Sequence, residues 1–123
     1  MQRPSHKELY SKIREARKAV ASGSVLLLEQ EAIAQDAIDL EYDIGDELFD
    51  VLIKLLNETS TNHYAGSRPP QRSYEREIEG LELFAFAVQS SRFNCRVYYK
   101  FALAQGAFWL LSLHQDRPLK EEK

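Results

Sequence analysis

Residues 97–114 read VYYKFALAQGAFWLLSLH, and the way this stretch pairs with itself decides the fold. Between Phe93 and Leu103 the odd positions Cys95, Val97, Tyr99, Phe101 and Leu103 are apolar. The even positions Asn94, Arg96, Tyr98 and Lys100 are polar or amphipathic. Alternation with a period of two marks half-buried strands. In the second half the odd positions Ala107, Trp109, Leu111 and Leu113 are apolar, and the even ones end in Ser112 and His114. A three-residue turn at Ala104, Gln105 and Gly106 would pair Leu103 with Ala107 and put both apolar sets on one face. That register sets Arg96 opposite His114 and Tyr98 opposite Ser112. Tyr98 and His114 then become diagonal neighbours, about 7–8 Å apart. A slip of one residue would expose roughly four large side chains, at about 1.5–3 kcal/mol each.

Working outward from the hairpin, residues 81–88 (LELFAFAV) are apolar on both sides, as in a central strand, and Ser90-Ser91 marks a turn. Residues 73–79 alternate until Gly80 interrupts them. Residues 58–71, with Gly66, Ser67 and the pair Pro69-Pro70, read as loop. Upstream the period changes to 3.6. From Asp43 onward Ile44, Leu48, Val51, Leu52, Leu55 and Leu56 make one apolar stripe ending near Asn57. Asp46, Glu47 and Asp50 lie towards its start, where the helix dipole favours negative charge. Residues 30–40 form a weaker helical pattern with Ala32, Ile33, Ala37 and Leu40 on its buried side. Residues 25–28 fit either a strand or the start of a helix. Ser5 and Glu8 match a capping box, Leu9, Ile13, Ala16 and Val20 recur at helical spacing, and Gly23 marks the stop. Helices first and strands afterwards predict an α+β fold, with N-terminal helices packed on one face of a mainly antiparallel sheet. The expected organisation is one domain, 1–123: helical part 5–57, loop 58–72, sheet part 73–115 and a short C-terminal tail 116–123.

At 123 residues the chain can bury a sizeable core. No stretch matches a signal peptide or a membrane span, and the lone Cys95 fits a reducing cytoplasm. No motif for a metal, cofactor or nucleotide is present. The net charge of −3 averages unlike parts. Residues 1–23 carry six Lys/Arg against two Asp/Glu, residues 24–59 one against ten, and residues 60–123 nine against seven. The acidic block reads first as a solvated helical face and second as a surface for a basic partner.

The polar side of the hairpin is where chemistry is expected. Imidazoles titrate near pH 6.5, which suits proton transfer, and a phenol beside one extends the set. Arg96 and Lys100 would hold a phosphate and stabilise charge developing on it. Tyr98, His114, Lys100 and Arg96 are therefore the candidate catalytic residues, although a polar sheet face of this composition is commonplace. Arg68, Arg72, Arg76 and Arg92, interleaved with Tyr64, Tyr74 and Phe93, form a candidate RNA-binding fringe. Glu75, Glu77, Glu79 and Glu82 dilute it. His6 and His63 read as solvated residues, and Cys95 as an inert residue on the buried face.

These residues carry a resemblance. Arg3-Pro4 with His6, Gly23-Ser24-Val25, the helix holding Val51, Ile53 and Leu55, Tyr64 and Ser67, Val97-Tyr98 with Lys100, and Ser112-Leu113-His114 follow one another in order. In that order and spacing the chain resembles the motility quorum-sensing regulator family of mRNA-cleaving toxins, a branch of the RelE-like ribonucleases. The resemblance implies a compact sheet flanked by helices, metal-independent cleavage of mRNA by the 2′-hydroxyl, and a cognate antitoxin. It places the family's active-site tyrosine on Tyr98 and its basic residue on His114. A lysine expected beside the loop tyrosine meets Ala65, and a glutamine expected within residues 81–86 is absent. Arg68 and Arg72 are the candidates to replace the lysine. A non-catalytic interaction module of the same fold is the alternative expectation.

Overall fold

The computed structural model describes residues 4–67 and 69–116; Arg3, Arg68 and residues 117–123 lie outside the described residues. Helix α1 (His6–Ala21) starts at Ser5, whose Oγ accepts the Glu8 N–H at 3.0 Å. It stops where Gly23 takes φ +82°, a left-handed conformation that glycine adopts without steric cost. After the short strand β1 (Val25–Leu27) come α2 (Gln30–Leu40) and α3 (Ile44–Glu58). Asp43 caps α3, its Oδ1 accepting from the Gly45 and Asp46 N–H groups at 2.8 and 3.2 Å. At the other end of α3, Arg17 of α1 donates through Nε and Nη2 to the Leu56 carbonyl, at 3.3 and 3.0 Å. The same carbonyl accepts the Thr59 N–H at 3.3 Å, and a cation there complements the helix dipole. Among the described residues no helix is long and apolar enough to cross a membrane.

Strands β2 (Phe84–Ser90), β3 (Cys95–Ala104) and β4 (Ala107–Gln115) complete a four-stranded sheet in the order β1-β4-β3-β2. β1 runs parallel to β4, and the other two pairings are antiparallel. The fold is therefore α+β with a mixed sheet. All three helices pack on one face, where Leu9, Ile13, Val51 and Leu52 meet Phe86, Tyr99, Phe101 and Phe108.

The hairpin register differs from the sequence expectation. The turn has two residues, Gln105 and Gly106, at φ 54° and 80°, so Ala104 pairs with Ala107. Two left-handed residues in succession give the turn whose twist matches the strands. A β-bulge at Leu111 then shifts the pairing beyond Phe101, which lies opposite Leu110, so that Lys100 faces Ser112 and Tyr98 faces His114. The cause lies in the apolar pattern. Phe108, Leu110 and Leu113 are all fully buried against the helices. Two even positions and one odd position share a face only if one residue is inserted between them. Trp109 and Leu111, expected beside Phe101, lie instead on the opposite face of the sheet.

Two further expectations are corrected upstream. The segment expected as a central strand forms the edge strand β2, and the preceding loop protects its outer side. Ala65 N–H donates to the Ala85 carbonyl at 2.8 Å, and Leu83 N–H to the Gln71 carbonyl at 2.7 Å. Edges covered in this way do not recruit foreign strands. Residues 73–81 are no strand either. They form an arm, with one 3-10 turn at Arg76–Ile78, folded over the face away from the helices. Ile78 anchors it in a second apolar cluster with Leu83, Ala102 and Leu111. The arm thus roofs the turn end of that face and leaves the end carrying Tyr98 and His114 open.

Candidate active site

The open half of the sheet carries Arg96, Tyr98 and Lys100 from β3 with Ser112 and His114 from β4. On the β2 side Lys100 is flanked by Ala85 and Tyr98 by Ala87. These small residues keep the floor low beside Lys100 and Tyr98. The bulge makes Tyr98 and His114 direct cross-strand partners rather than diagonal ones. Their rings stack at 5.1 Å between centroids with 22° between planes. His114 Nδ1 lies 2.9 Å from the Gln115 carbonyl. A carbonyl only accepts, so Nδ1 carries the hydrogen and Nε2 of the neutral ring holds the lone pair. Burial, and then the nearby Asp116 carboxylate, hold the Tyr98 phenol above its ordinary value, so it stays a proton donor.

Arg96 is not opposite His114, as the three-residue turn would have placed it. It forms an exposed ion pair with Asp116, Nε to Oδ2 at 2.9 Å. Lys100 has the central position. It lines a cleft of about 190 Å³ with Ala65, Gly66, Ser67, Gln71 and Tyr98. It also lines a neighbouring one of about 240 Å³, where Ser112, Tyr74, Glu75 and Glu29 take part. Within the loop Gly66 lies against the Tyr64 ring, where a Cβ would stand 2.7 Å from the Tyr64 hydroxyl oxygen.

The arginine fringe is not gathered. Arg72 donates to the Gly80 carbonyl at 2.8 Å and lies towards Lys12 and Phe84, on the helix side of the sheet edge. Arg76 borders a hollow at the turn end with Leu26 and Trp109. Arg92 pairs with Glu47 of α3 at 3.2 Å and lies over Phe93. Arg68 lies outside the described residues. The two remaining histidines have local structural roles. His6 Nδ1 meets Thr61 Oγ1, and His63 Nδ1 accepts the Ser60 N–H at 2.9 Å. Among the described residues no cluster of three His, Cys, Asp or Glu side chains could hold a metal.

Sequence reading missed Gln71, Tyr74, Glu75 and Glu29 as neighbours of Lys100. Nothing local signals them, because long-range pairing of the loop with β2 brings the first three over the sheet. Partial desolvation, and then Glu29, raise the Glu75 carboxyl above its ordinary value, which marks the two acids as close neighbours. No protein-family model matches the chain, and no curated protein matches it.

Proposed function

We propose that this chain is a toxin-type endoribonuclease that cleaves mRNA without a metal and is neutralised by a cognate antitoxin in the cytoplasm. The observation that carries this reading is the stacked Tyr98–His114 pair, with Lys100 one step along the same open face. RNA supplies its own nucleophile, so the protein has only to move two protons and stabilise one phosphorane. His114 Nε2 takes the proton of the 2′-hydroxyl as its oxygen attacks phosphorus. The bond to the 5′ oxygen breaks, and that oxygen receives the Tyr98 proton. The products are a 2′,3′-cyclic phosphate and a 5′-hydroxyl. The imidazolium then returns a proton to the phenolate stacked on it, and the pair is reset. Lys100 offsets the extra negative charge in the transition state, and Arg96 supports the backbone from its ion pair with Asp116.

The resemblance to motility quorum-sensing regulators gains support from Gln71. Its carbonyl accepts from Leu83 N–H, and the residue borders both clefts. The amide that the family carries on the strand is here supplied by the adjacent loop. Purified chain incubated with mRNA should leave cyclic-phosphate ends, and His114→Ala should abolish both cleavage and growth arrest. Wild-type toxicity in that variant would remove the proposal. The alternative is a non-catalytic interaction module. It is favoured by the carboxylates Glu29 and Glu75 beside the groove and by the pairing of Arg96 with Asp116. Harmless accumulation of the chain without any antitoxin would establish that alternative.

A further inference from the structure

His114 can accept a proton through Nε2 only while its own hydrogen stays on Nδ1, and the bond that keeps it there runs to the Gln115 carbonyl at 2.9 Å. That carbonyl shares a peptide unit with the Asp116 N–H. A trans peptide is planar, with its N–H and C=O pointing opposite ways, so fixing one end aims the other. The N–H end is fixed. Asp116 N–H donates to the Arg96 carbonyl at 2.8 Å, carrying the ladder one residue past the end of β4. The side chains of the same two residues also meet, Arg96 Nε donating to Asp116 Oδ2 at 2.9 Å. Both contacts lie two positions along from the Tyr98–His114 pair on their strands. On the other edge β1 pairs with β4 only as far as Leu110, so among the described residues no strand competes for the Gln115 carbonyl.

We propose that Asp116 is a positioning residue: together with Arg96 it clamps the peptide between Gln115 and Asp116 and thereby fixes the tautomer and ring direction of His114. The inference rests on the ribonuclease reading and adds a residue to it. Asp116 touches no reacting atom. It acts through Arg96 and through the backbone, in the way that a hydrogen bond to one imidazole nitrogen decides the state of the other. With the clamp open the peptide is free to turn, and the ring loses its reason to keep the hydrogen on Nδ1. A ring protonated on Nε2 instead has no lone pair to offer the 2′-hydroxyl. The side-chain half of the clamp is exposed, and an exposed ion pair favours one conformation by at most about fivefold. The backbone half therefore carries the larger share.

The test is nitrogen NMR of the isotope-labelled full chain, at a pH where the imidazoles are neutral. The His114 signals are told from those of His6 and His63 by their loss in His114→Ala. In the wild type the ring hydrogen should be on Nδ1. Asp116→Asn opens the ion pair and should shift the tautomer ratio towards Nε2–H by about 2- to 5-fold, with kcat falling by the same factor. Asp116→Pro removes the N–H and the carboxylate together; it should abolish the preference for Nδ1 and lower kcat by about 10- to 100-fold without raising KM. Asp116→Glu keeps the carboxylate and should restore both readouts. A purely structural Asp116 would change stability and leave the tautomer of the folded chain as it is. A wild-type hydrogen on Nε2, or an unchanged tautomer in Asp116→Pro, overturns the clamp and leaves the ribonuclease standing. If the proline variant does not fold, equal tautomer ratios in Asp116→Asn and Asp116→Glu overturn it in the same way. A tautomer that shifts as expected in a chain that cuts no RNA upholds the clamp and removes only the ribonuclease reading.

Discussion

Tyr98 and Tyr99 are adjacent in sequence and have opposite fates. Tyr99 points into the core, where its hydroxyl donates to Thr59 Oγ1 at 2.7 Å, since the single Thr59 hydrogen goes to the Leu55 carbonyl. Tyr98 points to the open face and stacks on His114. Tyr98→Phe keeps the ring and removes only the proton. The rate constant for cleavage should therefore fall by about 10²–10⁴ in single-turnover kinetics, with the melting temperature unchanged. A wild-type rate would remove Tyr98 from the mechanism. Tyr42 provides a contrast in stability. Its hydroxyl is buried with no hydrogen-bond partner among the described residues, and burial pushes the phenol up to about 12. Tyr42→Phe should be neutral or stabilising by up to about 1 kcal/mol in denaturant unfolding, whereas Tyr99→Phe should cost about 1 kcal/mol. The sequence shows these three tyrosines as equivalent half-apolar residues. Only their partners separate them.

At the scale of elements, the helices were legible because each one states its own limits. Ser5 and Gly23 sit at the ends of α1 where they were expected, Asp43 caps the helix whose stripe starts there, and the stripes of α1 and α3 are buried apart from the half-buried Ile44, while Ala32 of α2 is exposed. The hairpin was legible as two strands but not in its register. Phe108 and Leu110 are as apolar as Trp109 and Leu111, so either parity of β4 reads as the inner one. Burial of Leu113 settles the matter by forcing the bulge, and the bulge is what lifts His114 onto the open face. The arm was illegible, since alternation in residues 73–79 imitates a strand. Ile78 is its anchor, 1% exposed. Ile78→Ala should cost about 2–5 kcal/mol at that site and release the arm before the sheet unfolds. Hydrogen exchange should accelerate at Ile78 and Leu81 while Tyr99 and Phe101 stay protected. Uniform acceleration would mean that the arm is not a separate unit.

The whole molecule separates its charges. Ten of the nineteen acidic residues fall between Glu29 and Glu58, the segment that carries α2 and α3, and among the described residues Lys100 is the cation at the centre of the open face. Arg72, Arg76 and Arg92 are dispersed to three other places. Binding of RNA should accordingly release few counterions. Each phosphate neutralised on a single strand contributes about −0.7 to the slope of log K against log salt, so a slope near −1 is expected. Asp116→Asn frees Arg96 beside the site and should steepen that slope by about 0.7. A slope of several units in the wild type would mean that the dispersed arginines act together after all.

What the sequence determined by itself is everything governed by local chemistry. That covers the helix limits, the α+β order of the elements, and the placing of Tyr98, Lys100 and His114 on adjoining strands. Capping, periodicity and turn residues act within a few positions, and they can be read there. Tertiary structure decided which strand faces which, that β2 is an edge, and that Gln71, Tyr74 and Glu75 border the site. Those outcomes depend on burying Phe108, Leu110 and Leu113 together and on docking Ile78 across the sheet. They are competitions between distant apolar groups, and no local pattern records who wins them.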